Sequence, residues 1–286
     1  MTTVAIVARS MWSRAEGKFS ILVLGLWVLV SLVSLVWTPQ SLWATDGYQV
    51  WKAPSAQHWL GTDGTGADVL SWLMAGSHTN LLISLLAVLL AALLGLLLLT
   101  AMLASNQLLA AGTVVVVDAL ISLPTVLLAL MLAVPLGPSI AVIVISCGIG
   151  YGLNLARIVR PQALLAAGSD YALSAKANGA GGWRIMLDHI LPNVMPTMAV
   201  QLSLSAGTAL LAESGLTYLG IGVPSGVPSW GHSLATSVKF IDVFPLTVLW
   251  PGLLVTMVVV ALNVCGDLLR QAMDPVSNPE LRKLAA

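Results

Sequence analysis

Two carboxylates stand out among the residues that could do chemistry. Asp118 is the one formal charge inside the chain's predicted membrane spans, and Glu213 stands at the end of another. An ionisable group in such surroundings marks a functional site by default. Asp118 is therefore read as a gating group or a structural contact near an interface, and Glu213 as a group that meets a passing substrate or caps the segment after it. Other chemistry has little to work with. His58, His78 and His232 match no metal-ligand spacing. Cys147 and Cys265 fall in different apolar stretches, where a thiol serves as a small apolar group. No His-Glu-x-x-His occurs, nor a pair of carboxylates within a span. The Gly17-Lys18 pair has Trp12 where a P-loop needs its first glycine and Phe19 where it needs Ser or Thr. No catalytic, cofactor-binding or metal-binding residue is expected.

The elements that must position these residues are helices in a membrane. The chain has 286 residues, 58% of them hydrophobic and 8% charged, against about 25% charged in a soluble domain. Its 12 basic and 12 acidic residues cancel, which removes the bulk electrostatic argument for a nucleic-acid partner. No Asp, Glu, Lys or Arg occurs between Asp68 and Asp118, or between Asp118 and Arg157. A helix needs about 20 apolar residues to cross the hydrocarbon core. Polar and helix-breaking points divide the uncharged stretches into six predicted spans, 19–37, 80–104, 113–134, 139–156, 194–212 and 245–266. The run from Leu85 to Leu94 does not alternate, which excludes the strands of a barrel. The core from Phe19 to Trp37 is longer than a signal-peptide core and no small-x-small site follows it, so it reads as a retained anchor.

Orientation follows from the cations. With both termini inside, Arg9, Arg14, Lys18, Arg157, Arg160, Lys176, Arg184, Arg270, Arg282 and Lys283 are cytoplasmic, and only Lys52 and Lys239 are outside. Trp37, Trp43, Trp51, Trp59 and Trp72 crowd the first outer segment and its flanks; they read as interface packing, with an aromatic ligand cage as the alternative.

The long cytoplasmic loop, 157–193, carries the most information. Asp170 reads as an N-cap, Tyr171 to Ala177 form two turns, and Gly179 admits a sharp turn. A second helix from about Gly182 sets Trp183, Met186 and Ile190 on one side, with Arg184 beside Asp188 on another. Leu191-Pro192 then marks the entry to the next span. Taken alone, this helix, bend and helix could also be an amphipathic loop lying on lipid.

The loop resembles the coupling loop of ABC-importer permeases, in the short helix before Gly179-Ala180, then Trp183-Arg184-Ile185 and His189-Ile190-Leu191-Pro192-Asn193. More narrowly, it is similar to the second permease subunit of the branch importing dipeptides, oligopeptides, nickel and metallophores. Four further blocks agree: His58-Trp59-Leu60-Gly61-Thr62-Asp63 with Gly66 and Asp68; Glu213-Ser214-Gly215-Leu216-Thr217-Tyr218-Leu219-Gly220; Pro228-Ser229-Trp230-Gly231; and the ending with Pro251-Gly252, Asn263, Gly266-Asp267 and Asp274-Pro275. The resemblance implies an all-α polytopic protein of about six transmembrane helices with a MetI-like permease fold. It implies a bacterial inner-membrane location, an N-terminal segment over 1–75, a permease core over 76–276 and a cytoplasmic tail over 277–286. Its expected partners are a second homologous permease, two cytoplasmic ATPases that hold ATP and Mg, and an extracytoplasmic substrate-binding protein. The implied coupling residues are Tyr171, Leu173, Ser174, Ala175, Lys176, Gly179, Ala180, Trp183 and Arg184. The implied cargo is peptides first, with nickel or a metal–metallophore complex second. The chain departs from the family pattern at Leu173-Ser174-Ala175, where Glu-Ala-Ala is usual, and at Gly66-Ala67-Asp68, where Gly-Arg-Asp is frequent.

Small residues, Gly148, Gly150, Gly152 and Ala206-Gly207, are expected either to let helices slide or to pack them tightly. Two other classes fit less well. A secondary transporter calls for repeated halves and broken helices, and a membrane enzyme for a catalytic constellation.

Overall fold

The computed structural model describes residues 3–273, with side chains from Ala8 onward. The Asp274-Pro275 pair, Arg282, Lys283 and the 277–286 tail lie outside the described residues. The described chain is helical, and its sole strand-like pairing is one bridge between Thr62 and Asp68. Five helices are long and apolar enough to cross a membrane: α2 (Ala15–Val33), α3 (Val69–Met102), α6 (Ile140–Ala167), α9 (Leu191–Tyr218, entered through a preceding turn from Gly182) and α11 (Pro245–Met273). A sixth crossing is made only if the bent pair α4 (Gln107–Ile121) and α5 (Thr125–Leu136) is one span. A short α1 (Thr3–Trp12) precedes them.

Five of the six predicted spans are present as continuous helices, with corrected limits, and the sixth is bent. The expected 80–104 span begins at Val69, because Asp68 caps the helix by accepting from Ser71 N at 2.8 Å. The expected 139–156 span runs on to Ala167; Arg157 and Arg160 end an apolar stretch, but arginine is a good helix former and does not end a helix. The expected single span over 113–134 is broken by an 86° bend. The cause is Pro124, which disfavours helical geometry at Leu123 and removes a backbone donor. The first span ends at Val33 rather than Trp37.

Helix packing depends on close approach. α3 and α6 form the most extensive pair. A Cβ at Gly148 would stand 2.5 Å from Leu90 Cδ2, one at Gly152 3.0 Å from Leu94 Cβ, and one at Gly95 2.7 Å from Leu155 Cδ2. The leucines of each helix thus fill space left by glycines of the other, the small-residue contact that lets helix backbones meet without lipid between them. α9 packs on α3, α6 and α11, and α11 packs in turn on α2. Arg14 donates to the Gln271 side chain, and Met11 is buried with Leu268 and Ala272. The start of the first long helix and the end of the last therefore share one end of the bundle.

Candidate functional site

The 157–193 loop starts where α6 ends. Ser169 turns its hydroxyl back to Ala166 O at 2.6 Å, and α7 (Asp170–Ala177) follows. Ser169, not Asp170, holds the N-cap position. Asp170 lies in the first turn, where its carboxylate meets the positive end of the helix dipole. At the other end Gly179 adopts φ +82°. Ala180 N donates to Ala175 O and Gly179 N to Lys176 O, both at 3.0 Å, the two bonds of a Schellman cap. A side chain with a Cβ would be strained at Gly179.

After this bend come α8 (Gly182–Ile185) and a wide turn over Met186–Ile190 with i to i+5 bonding, which leads into α9 without a break. Leu191-Pro192 thus lies inside a continuous helical path, with Pro192, which has no N–H to donate, directly after the wide turn. Met186 and Ile190 are buried against Leu99, Val159 and Ala163. Trp183, Met186 and Ile190 all border one cavity, in keeping with the shared side expected of them, although Trp183 is 62% exposed. That cavity, about 370 Å³, lies between the end of α3 at Leu103 and the loop residues Ala172, Lys176, Ala180 and Trp183.

The loop's outward face is built from the residues singled out by sequence. Tyr171 and Leu173 are half exposed, Leu173 at 51% where the family pattern has its acid; Ser174, Lys176 and Arg184 are exposed, and Ala175 and Ala180 partly so. Only Ala172 of α7 is buried. Arg184 Nε meets Asp188 Oδ2 at 3.3 Å in an exposed i,i+4 pair. Such a pair is worth about 0.3–0.5 kcal/mol. Large apolar groups left in water on a thinly pinned helix describe a surface made to be covered.

Asp118 meets Arg157 Nη1 at 3.3 Å, tying α4 to α6, with both side chains about half exposed. Arg157 was legible as a cation at a span end, but its pairing with Asp118 was not.

Glu213, expected to meet a substrate or to cap the segment after it, lies inside the packed helices. It is fully buried, reaches no open space, and is held from three sides. Asn80 Nδ2 donates to it at 2.6 Å, Thr217 Oγ1 at 3.0 Å and Ser214 Oγ at 3.1 Å. The same Asn80 accepts from Trp230 N at 3.1 Å, and Trp230 Nε1 donates to Leu73 O at 2.9 Å. Trp230 opens α10 (Trp230–Ser237), whose Ser229 cap accepts from His232 N. Gly231 makes the junction possible, since a Cβ there would stand 2.7 Å from Ser214 Cα. The network thus joins α3, α9 and α10. Sequence reading missed Asn80; its signal was an amide at the head of the apolar run from Leu81.

The block around His58 is likewise structural. His58 Nδ1 and Asp68 Oδ1 are 2.9 Å apart, and Gly61 and Gly66 take φ +82° and +79°. A Cβ on Gly66 would overlap Asp46 O at 2.0 Å.

Residues 87–276 match the family described as the inner membrane component of binding-protein-dependent transport systems. The chain belongs to this family. The permease is 30% identical to the Nickel transport system permease protein NikC of Escherichia coli K12 over 92% of its own length and 95% of the relative's. It is 33% identical to the Dipeptide transport system permease protein DppC of Alkalihalophilus pseudofirmus, over 87% and 82% of the two chains. It is 34% identical to a probable peptide ABC transporter permease protein, y4tQ, of Sinorhizobium fredii, over 81% and 79%. The permease is thus a multi-pass inner-membrane transport component with the all-α fold expected of it.

Proposed function

We propose that this permease is the transmembrane subunit of an ATP-driven importer of small peptides, and that α7 and α8 receive the stroke of partner ATPases. The observation that carries the reading is the exposed face of Tyr171, Leu173 and Lys176 on α7 and of Trp183 on α8, the second of which continues through Met186–Ile190 into α9. A push on this face moves a rigid lever: α9 is packed on α3, α6 and α11, so displacement is carried into the core rather than absorbed by a loop. ATP and Mg belong to the two ATPases, and this chain contributes shape and contact. With Leu173 in place of the family's acid, the contact is apolar, flanked by the cations Lys176 and Arg184.

In this reading the loop end is cytoplasmic, as are both termini, and the 38–68 segment and α10 face an extracytoplasmic binding protein. The second permease covers the exposed apolar faces of α4 and α5, where Leu108, Val115, Met131 and Val134 lie in the open. Peptides are the cargo by likeness to the dipeptide and peptide permeases. Nickel is a second cargo reading, favoured by the 95% coverage of the nickel permease.

The test is reconstitution of both permeases, the ATPases and the binding protein in vesicles. The expected result is dipeptide uptake with ATP hydrolysis stimulated by loaded binding protein. Uptake of labelled nickel without peptide uptake would replace the cargo, and ATP hydrolysis indifferent to the binding protein would sink the coupling role.

A further inference from the structure

At the end of the bundle opposite the coupling loop, the 38–68 segment and the α10 region enclose a cavity of about 490 Å³, within the range of small-ligand pockets. One wall is aromatic. Trp51 stacks on Phe244 with ring centres 4.7 Å apart and lies 4.9 Å from Phe240, while Trp72 lies 6.3 Å from His232. Trp72 also leaves its buried indole N–H without an acceptor in the protein.

Among the lining residues only Asp63 and Lys239 carry a formal charge, one of each sign. Asp63 Oδ1 accepts from Thr65 N, Thr65 Oγ1 and Ala67 N at 2.8, 2.8 and 3.0 Å, which fixes the carboxylate, while Oδ2 accepts no hydrogen bond from the described residues. Lys239 has no ion-pair partner among the described residues. His232, in α10 outside the spanning helices, is half-buried; burial pushes its pKa down and the Asp63 carboxylate offsets part of that, so it adds no third charge at neutral pH. The wall is also held at a cost. Trp51 is the one non-glycine residue with positive φ, +54°, among those described, and its N–H donates to Asp63 O at 3.1 Å. Strain of this kind persists where the surroundings over-determine a geometry, and it collects at ligand sites.

An uncommitted anion and an uncommitted cation on an aromatic-walled cavity complement a small zwitterion with an apolar middle. We propose that this cavity is a transient subsite for a free dipeptide, with the α-ammonium at Asp63 Oδ2, the carboxylate at Lys239 and the side chains against Trp51 and Trp72. The proposal rests on the peptide reading above. It also supplies a next step. His232, Thr236 and Lys239 line a second opening of about 680 Å³ as well, bounded by Pro138, Tyr218 and Val223 near the ends of α5 and α9. A peptide leaving Lys239 is therefore already at the mouth of the adjoining space. Because Lys239 is exposed, its attraction is screened and the site is weak, as a stop on a pathway must be.

The test uses the complex of permeases and ATPases without its binding protein, with labelled Ala-Phe in equilibrium dialysis. Saturable binding is expected, weakened about tenfold by Lys239→Ala and by Asp63→Asn, and retained in Lys239→Arg. N-acetylated Ala-Phe should bind weakly and be indifferent to Asp63→Asn; the C-terminal amide should bind weakly and be indifferent to Lys239→Ala. Equal binding of free and capped peptides, unchanged binding by both variants, or no saturable binding would overturn the subsite. If any of these accompanies normal peptide uptake by the complete importer, the subsite alone fails. If the complete importer takes up no peptide, both readings fall.

Discussion

The 157–193 loop end and the Glu213 end of this permease use polar and apolar groups in opposite ways. Around Glu213 the chain satisfies the carboxyl from within: Asn80 bridges it to a backbone N–H, and Gly231 gives up its side chain so that two helices meet. Around α7 the chain leaves Tyr171, Leu173 and Trp183 about half exposed or more, and Ala172 is the one residue of that helix that is buried. A junction that must hold its shape is satisfied internally, because an unpaired buried group costs about 1–3 kcal/mol. In the proposed reading a partner ATPase covers the α7 face, and the helix itself is held by Ala172, the Tyr171–His189 ring contact and the Gly179 cap.

That contrast can be broken at three points. The largest effect is expected at the bend: Gly179→Val forces a β-branched residue to φ +82° and should lower transport-coupled ATP hydrolysis at least tenfold, while the thermal midpoint of the purified permease moves little. A large fall in midpoint with coupling intact would reverse the assignment of the two ends. Next is the junction. Asn80→Ala strands Trp230 N–H and leaves the Glu213 carboxyl with Thr217 and Ser214 alone, and should cost about 2–3 kcal/mol in denaturant unfolding. Asn80→Asp should fare no better, since it sets a second carboxyl against the first.

The smallest effect concerns pH. His232 has its pKa lowered by burial below the ordinary 6.5. Below that value the unfolded chain takes up a proton that the folded one resists, so stability contributed here is complete above about pH 6.5 and is lost as pH falls toward the folded value. His232→Gln should flatten the fall in midpoint between pH 7 and about pH 5; an unchanged slope would show that His232 is not its source.

Much of this was legible beforehand. Uncharged runs marked the spans, and Gly179 marked the bend because an L-residue with a side chain rarely takes its conformation. The limits of the spans were less legible. Charge reports where lipid ends, whereas a helix ends where capping or proline ends it, so Arg157 misled and Pro124 was read through. Glu213 was visible as an acid at the edge of an apolar stretch, but its fate depended on Asn80, 133 positions away, and on Trp230. No local pattern encodes such a pairing.

By itself, the sequence determined the class of molecule, the number of apolar stretches, and the presence of a helix, a glycine bend and a second helix, because hydropathy, length and backbone conformation are local properties. The tertiary structure alone decided which charges are spent and which are free. Glu213 is consumed in a buried network and Asp118 pairs with Arg157, while Lys239 and one oxygen of Asp63 remain available beside an aromatic wall. The physical reason is that a charged group's role is set by what stands within a few ångströms of it, and those neighbours come from helices far apart in the chain.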